Sequence, residues 1–197
     1  HDGILVYLDS QDSNKISDDL DMILIPGDLV VTGSVYSQWG EHFFTPAEPL
    51  FAQVPSYPVL GNHEQDSAYY TNYFHLPDNG SEGYKEHWWY KDHSNIRVIG
   101  LDSNSNYRLP VQLNWLEDTL NDACNDEYID FVFAQLHHPY KSELWLPGQL
   151  DFTGDVITLL ENFSTSCNKP SIHFFGHTHG YSRGQSRDHD HLWVNVA

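Results

Sequence analysis

Three observations predict an α/β fold. Short apolar runs closing in small or polar residues recur at 4–8, 22–26, 58–60, 97–101, 131–136, 172–175 and 192–196, the pattern of buried strands. Helix-period stretches lie between several of these runs, as alternating strands and helices require. One pair of runs is joined by a turn too short for a crossover, which makes the sheet mixed rather than purely parallel.

Taken in order, residues 4–8 and 22–26 read as the first two strands. Only 9–21 separates them, about the dozen residues that a parallel crossover needs at minimum, so a segment near 11–17 is expected to be missing from this sequence. Residues 35–51 read as a helix leading to the strand at 58–60. The aromatic stretches 69–74 and 88–90 read as core, because no basic groove accompanies them as it would a base-stacking platform. Residues 87–92 and 95–101 form a hairpin turning at Asp92-His93-Ser94. A helix at 112–123 sets Leu113, Leu116 and Leu120 on one face and leads to the strand at 131–136. A second helix at 155–163, with Val156, Leu159 and Leu160 inward, leads to the strand at 172–175. The run 192–196 carries the chain to its last residue inside a strand pattern, so a C-terminal portion is also expected to be missing. No repeat, linker or low-complexity tract breaks the chain, and one domain over 1–197 is expected.

Composition narrows the function. Nine Lys and Arg against 28 Asp and Glu give a formal net charge of −19, which repels a nucleic-acid backbone. No run approaches a membrane span, so a soluble protein is expected. Thirteen histidines are spread along the chain, and neutral imidazole is the commonest transition-metal ligand. Cys124 and Cys167 each follow a helix-like stretch and precede an apolar run. They could bridge if those strands are parallel neighbours, or remain two free thiols. A bridge would point to an oxidising compartment, secreted or periplasmic.

Four strand ends concentrate polar residues: Gly27-Asp28, Gly61-Asn62-His63-Glu64, His137-His138-Pro139 and Gly176-His177-Thr178-His179. Open α/β sheets bind ligands at the carboxyl ends of strands, so one composite site is expected. Glycines 27, 61 and 176 are expected to let the backbone turn sharply. Carboxylate, amide oxygen and imidazole suit Zn, Mn or Fe better than thiolate-seeking metals. Singly, each cluster has an ordinary explanation, such as a strand-to-turn Gly-Asp or a capping Asn. In an extended segment His137 and His138 point oppositely, so one of them at most is a ligand.

The ordered set Gly27-Asp28, Gly61-Asn62-His63-Glu64, His137 and Gly176-His177-Thr178-His179 resembles the signature of the calcineurin-like metallophosphoesterases from their second motif onward. Trp39, Gln112 with Trp115-Leu116, and Gly180-Tyr181-Ser182 look like the purple-acid-phosphatase-like branch. The resemblance implies a four-layer α/β/β/α sandwich with two mixed sheets, a small phosphoester substrate, and a dinuclear centre of Mn, Fe or Zn, with Mg or Ca suiting less well. It implies that Asp28 bridges the ions, that Asp9 and His179 serve the first, and that Asn62, His137 and His177 serve the second. A bridging hydroxide would attack phosphorus while His63 stabilises the transition state and protonates the leaving oxygen. Asn62 and His63 would also contact substrate. Glu64 either orients His63 or turns outward.

Two departures stand out. The first motif reads Asp9-Ser10-Gln11, with Gln11 where the family has histidine, and an amide oxygen is a weaker donor than imidazole. Val31 replaces the tyrosine ligand of purple members, so no tyrosinate-coloured centre is expected. Arg183, Arg187, His189 and His191 are candidates for the substrate mouth, against a solvated loop. The rival reading is a non-catalytic scaffold of the same fold, and Gln11 is the feature in its favour.

Overall fold

Period-two alternation on the central strands decides the layering. Val98 and Ile99 on one strand, and Val132, Phe133 and Ala134 on its neighbour, send successive side chains into two different cores. A sheet that is apolar on both faces must be covered on both. The structure, a computed structural model, describes residues 16–142 and 151–196. The expected strand at 4–8, together with Asp9 and Gln11, lies outside the described residues.

Two sheets are present. The smaller pairs β1 (Ile23–Ile25) with β2 (Ser56–Pro58) in parallel. The larger has six strands: β3 (Trp89–His93), β4 (Ile96–Gly100), β5 (Phe131–Gln135), β6 (Ser171–Phe175), β7 (Tyr181–Gln185) and β8 (His191–Val196), in the order β3-β4-β5-β6-β8-β7. Strands β4, β5, β6 and β8 run parallel, with β3 and β7 antiparallel at the two edges. The expected hairpin is β3-β4. Strand β2 sits slightly earlier than the apolar run 58–60, although Val59 still donates its N–H to the Ile25 carbonyl. The edge strand β7 was not expected, because its outward residues Tyr181, Arg183 and Gln185 are exposed and it carries no apolar run.

Helices α4 (Pro110–Asn125) and α5 (Asp151–Cys167) cover one face of the large sheet. There Leu116, Leu120, Val156, Leu160 and Phe163 bury against Ile99, Val132 and Ala134. On the other face Val98 and Trp89 meet the small sheet and a helical segment made of α1 (Tyr36–Gln38), a π-helical stretch (Trp39–Phe44) and α2 (Thr45–Phe51). Short α3 (Ala68–Tyr73) adds Tyr70, and Phe74 follows it into the same core, so the aromatic stretch 69–74 packs inside as expected. The result is the four-layer α/β/β/α sandwich. Gln135 of β5 ties the sheets together by donating to the Tyr57 carbonyl of β2 at 2.7 Å.

Arg97 on β4 is 2% exposed, yet its guanidinium is satisfied by Asp92, Asp122 and the Thr119 carbonyl and lies 4.3 Å from the Tyr90 ring. Cys124 and Cys167 end the two covering helices and form a disulfide, with Cα atoms 5.4 Å apart. They precede β5 and β6, which are parallel neighbours, as the bridged alternative required. At the same, amino-terminal end of the sheet His173 and His191 form a buried chain. The Ser171 hydroxyl donates to the Leu160 carbonyl and so accepts from His191 Nδ1 at 2.7 Å; His191 Nε2 then accepts from His173 Nδ1 at 2.8 Å.

Candidate metal centre

Strands β1, β5 and β6 end on one side of the molecule, where the loop after β2 joins them. Gly27 adopts φ +83, so the chain turns there and presents Asp28. Gly61 and Gly176 differ from the expectation, since neither has a left-handed backbone. They are needed for close approach: a Cβ on Gly61 would overlap Asp28, and one on Gly176 would come within 3.1 Å of the Pro26 carbonyl. Asp28, His177 and His179 themselves hold positive φ of 58, 69 and 49, a conformation that disfavours side chains with a Cβ.

Four donor atoms, one from each of the segments that follow β1, β2, β5 and β6, converge. His137 Nε2 lies 3.0 Å from Asp28 Oδ2, 3.0 Å from Asn62 Oδ1 and 3.1 Å from His177 Nδ1, and His177 Nδ1 lies 2.9 Å from Asn62 Oδ1. His137 Nδ1 is 2.7 Å from the Pro26 carbonyl. A carbonyl only accepts, so Nδ1 carries the hydrogen and Nε2 turns its lone pair inward. Burial, and then the neighbouring His137, push the His177 pKa down. Burial pushes Asp28 up, but a second proton on His137 would let Nε2 donate to the carboxylate, and with the His63 backbone N–H this holds the carboxyl below its ordinary value. A carboxylate, an amide oxygen and two neutral imidazoles facing one point fit a divalent cation. The structure thus brings Asp28, Asn62, His137 and His177 together. His179 acts electrostatically on His177, and the loop between them is anchored by Asn195, which donates to the buried Thr178 hydroxyl.

His63 sits at the rim of this cluster. Its backbone N–H donates to Asp28 Oδ1 at 3.2 Å, and its ring Nδ1 lies 2.6 Å from the Val31 carbonyl. Nδ1 is therefore the donor there, which leaves Nε2 to exchange a proton. Val31 is 60% exposed and takes part through its backbone.

Glu64 corrects the expectation in both of its forms. It neither orients the His63 ring nor turns outward; it is wholly buried. Its Oε1 accepts from the N–H groups of Leu29 and Val30, and its Oε2 from those of Asp28 and Gly61, at 2.7–3.3 Å. One carboxylate thus fastens the Asp28 loop to the Asn62-His63 loop. Burial, with the Asp28 charge adding to it, raises the Glu64 pKa, while the amide donors pull the other way.

His138 also departs from expectation. Strand β5 stops at Gln135 and the chain bends at 137–138, so strand alternation no longer separates the two rings. The His138 ring lies 4.9 Å from that of His137 and 4.7 Å from that of His177. Its Nδ1 meets the Ser103 hydroxyl at 2.9 Å, and burial lowers its pKa to about 3.

Sequence reasoning missed the loop after β4. Asp102 is fully buried, accepts from Asn104 and lies 2.9 Å from His87 Nδ1; Asn104 Nδ2 in turn reaches the carbonyls of Leu60 and Gly61. Asp66, His87 and Asp102 form a second group of close donor atoms. The available signal was positional, because Asp102-Ser103-Asn104 follows a strand as the other clusters do. Arg183 is placed on β7, exposed and opposite Val194. His189 and His191 lie at the opposite end of the sheet from the cluster, beside α5 residues Thr165 and Glu161 and strand residue Ser171, and Arg187 is exposed beside Asp188. These three therefore do not line its mouth.

A family model described as calcineurin-like phosphoesterase matches residues 3–181. A Hordeum vulgare protein named nucleotide pyrophosphatase/phosphodiesterase is 25% identical over 188 residues, covering 84% of this chain and 49% of its own length. An Arabidopsis thaliana protein named "Probable inactive purple acid phosphatase 24" is 24% identical, covering 84% of this chain and 29% of its own. The chain therefore spans half or less of these curated relatives. Among solved structures, the purple acid phosphatase PPD1 of yellow lupin, Lupinus luteus, aligns over 91% of this chain and 37% of its own with a TM-score of 0.65 at 17% identity, a likeness of fold.

Proposed function

Because this chain belongs to the calcineurin-like phosphoesterase family, we propose that it hydrolyses a small phosphoester at a dinuclear metal centre built on the converging cluster. The observation that carries the reading is that convergence, Asp28, Asn62, His137 and His177 facing one point with His63 at its rim. Asp28 would be shared between two ions, Asn62, His137 and His177 would hold one, and His179 with Asp9 and Gln11 the other. Bound ions of this kind acidify water and offset phosphoryl charge. Mn, Fe and Zn suit the donor set best.

The protein's own groups manage the proton. In hydrolysis a water molecule gives up a proton to solvent as its oxygen bonds to phosphorus, and the bond from phosphorus to the leaving oxygen breaks with its electron pair on that oxygen. His63, held by Val31 through Nδ1, would donate the Nε2 proton to the leaving oxygen and be recharged from solvent, a general-acid role. Glu64 keeps His63 and Asp28 in register without touching substrate. The disulfide supports an oxidising, secreted or periplasmic setting, and no helix among the described residues is long and apolar enough to cross a membrane.

A second reading, a non-catalytic scaffold, draws on Gln11 and on the name of the Arabidopsis relative. Metal analysis of protein purified without chelator, with hydrolysis of p-nitrophenyl phosphate and bis-p-nitrophenyl phosphate, separates the two. The enzyme reading expects two ions per chain and chelator-sensitive turnover, with both ions lost in Asp28→Asn. Loaded protein that turns over neither ester overturns it.

A further inference from the structure

His137 and His138 are consecutive, yet their hydrogen bonds set them in opposite tautomers. His137 gives its Nδ1 hydrogen to the Pro26 carbonyl and turns the Nε2 lone pair on the cluster. For His138 the Ser103 hydroxyl decides. It accepts the His138 backbone N–H at 2.9 Å and lies 2.9 Å from the His138 ring Nδ1. A hydroxyl has one hydrogen of its own to give, and among the described residues the ring nitrogen is the acceptor it meets. Nδ1 therefore accepts, and the neutral ring carries its hydrogen on Nε2.

That Nε2–H has no hydrogen-bond partner among the described residues. The residue around it is fixed: its N–H goes to Ser103, its carbonyl accepts from the Thr153 hydroxyl at 3.2 Å, and the Ser103 carbonyl is in turn held by Arg108 Nε. His138 is 9% exposed. Its Nε2 is not sealed inside the protein, because the wholly buried side-chain atoms without a partner among the described residues are Trp89 Nε1 and Gln135 Oε1. The Nδ1 edge of the ring lies against Ser103. On its other sides stand the rings of His137 and His177, at 4.9 Å and 4.7 Å, and a nitrogen of His138 comes within 4.8 Å of a donor atom of each. What this ring leaves open is therefore its Nε2 edge, on the side of the cluster.

We infer that His138 is a further catalytic residue of this centre, its Nε2–H donating to a non-bridging phosphoryl oxygen of the bound ester. The inference rests on the phosphoesterase reading. Phosphoryl oxygens gain charge as the nucleophile attacks, and a donor already held in place stabilises that charge without reorganisation. Burial keeps the ring uncharged, and a neutral N–H can stand beside bound cations that would repel a Lys or Arg side chain. The two consecutive histidines thus divide the work, His137 offering a lone pair to a metal and His138 a hydrogen to the substrate. No proton leaves His138, so it is not a second acid beside His63.

The test uses the full chain with isotope-labelled histidine, loaded with Zn2+, beside His138→Phe and His138→Gln. Imidazole nitrogen NMR of the wild type should show His138 as the Nε2–H tautomer, and that resonance should shift when inorganic phosphate is added. Calorimetry should find inorganic phosphate bound about 10–100-fold more weakly by His138→Phe, the worth of one hydrogen bond to a charged acceptor, at the metal content of the wild type. The kcat/KM for p-nitrophenyl phosphate should fall with it. His138→Gln restores a side-chain N–H and should recover most of both losses, which a role in packing alone would not give. An Nδ1–H tautomer, or an Nε2 resonance indifferent to phosphate, overturns the inference, and this reading is made on the wild type whether or not the variants fold. It is overturned too if His138→Phe loses an ion, since His138 would then be a ligand, if phosphate affinity and kcat/KM stay within threefold of the wild type, or if both variants lose equally. If the wild type binds phosphate through His138 and cleaves no ester, the phosphoesterase reading falls and the anion donor stands.

Discussion

Replacing Glu64 by glutamine tests whether one buried carboxylate fastens the two central loops of the site. The side chain keeps its size and loses its charge. Four backbone N–H groups point at its two oxygens, two at each, so an amide can satisfy one pair and must turn its own NH2 toward the other. Two bonds to a charged acceptor are lost, at about 1.5–3 kcal/mol each. The removed charge no longer has to be desolvated, which offsets part of that loss and leaves about 3 kcal/mol. For a domain of this size the melting temperature should fall by roughly 6–12 °C, short of unfolding at 25 °C. The loosened Asp28 and Asn62 loops should cost about 10–100-fold in Mn2+ affinity, the usual effect of removing support behind metal ligands. Scanning calorimetry with and without Mn2+ measures both quantities, with Glu82→Gln on the exposed surface as a control for net charge. A melting shift below about 2 °C with unchanged Mn2+ affinity would refute the fastening role.

Three further outcomes are expected. His63→Ala should retain the metal content of the wild type while turnover falls by roughly two to four orders of magnitude; unchanged turnover removes His63 as the acid. His173 and His191 are held neutral, by burial first, at about 3 and about 4. The unfolded imidazoles titrate near 6.5, so stability is complete above that pH and is lost as pH falls toward 4. The urea midpoint should drop by the equivalent of about 4 kcal/mol from pH 7.5 to pH 5, less steeply in a His173→Phe, His191→Leu double variant; a flat midpoint contradicts the buried neutral pair. Reducing the disulfide, which closes a loop with a sequence separation of 43 residues, should cost about 4 kcal/mol on the chain-entropy estimate, read as a lower melting temperature at equal metal content.

Much of the fold was legible because apolar runs reveal buried strands. Residues 97–101 and 131–136 carry enough Val, Ile, Leu and Phe to mark β4 and β5 within a residue or so. Strand β7 was not legible, since an edge strand with polar outward residues has no apolar signature. The ligand cluster was legible because each donor follows a strand end, and α/β sheets bring such ends together. The supporting groups escaped for a different reason. Glu64 lies within a motif, but whether a carboxylate faces solvent or four amides depends on a loop 35 residues away in sequence. His138 needed the bend after Gln135, which two consecutive histidines do not announce.

The left-handed backbone at Asp28, His177 and His179 has a consequence for how the chain tolerates change. Glycine is the residue such positions accommodate most easily, yet glycine has no donor atom. In a saturation library, scores for cellular abundance and for catalysis should therefore diverge at these three codons, with glycine ranking high for abundance and at the floor for turnover. At buried core positions the two rankings should agree. The same divergence warns against consensus-style stabilisation of these loops, where the most comfortable residue for the backbone is the one that abolishes the centre.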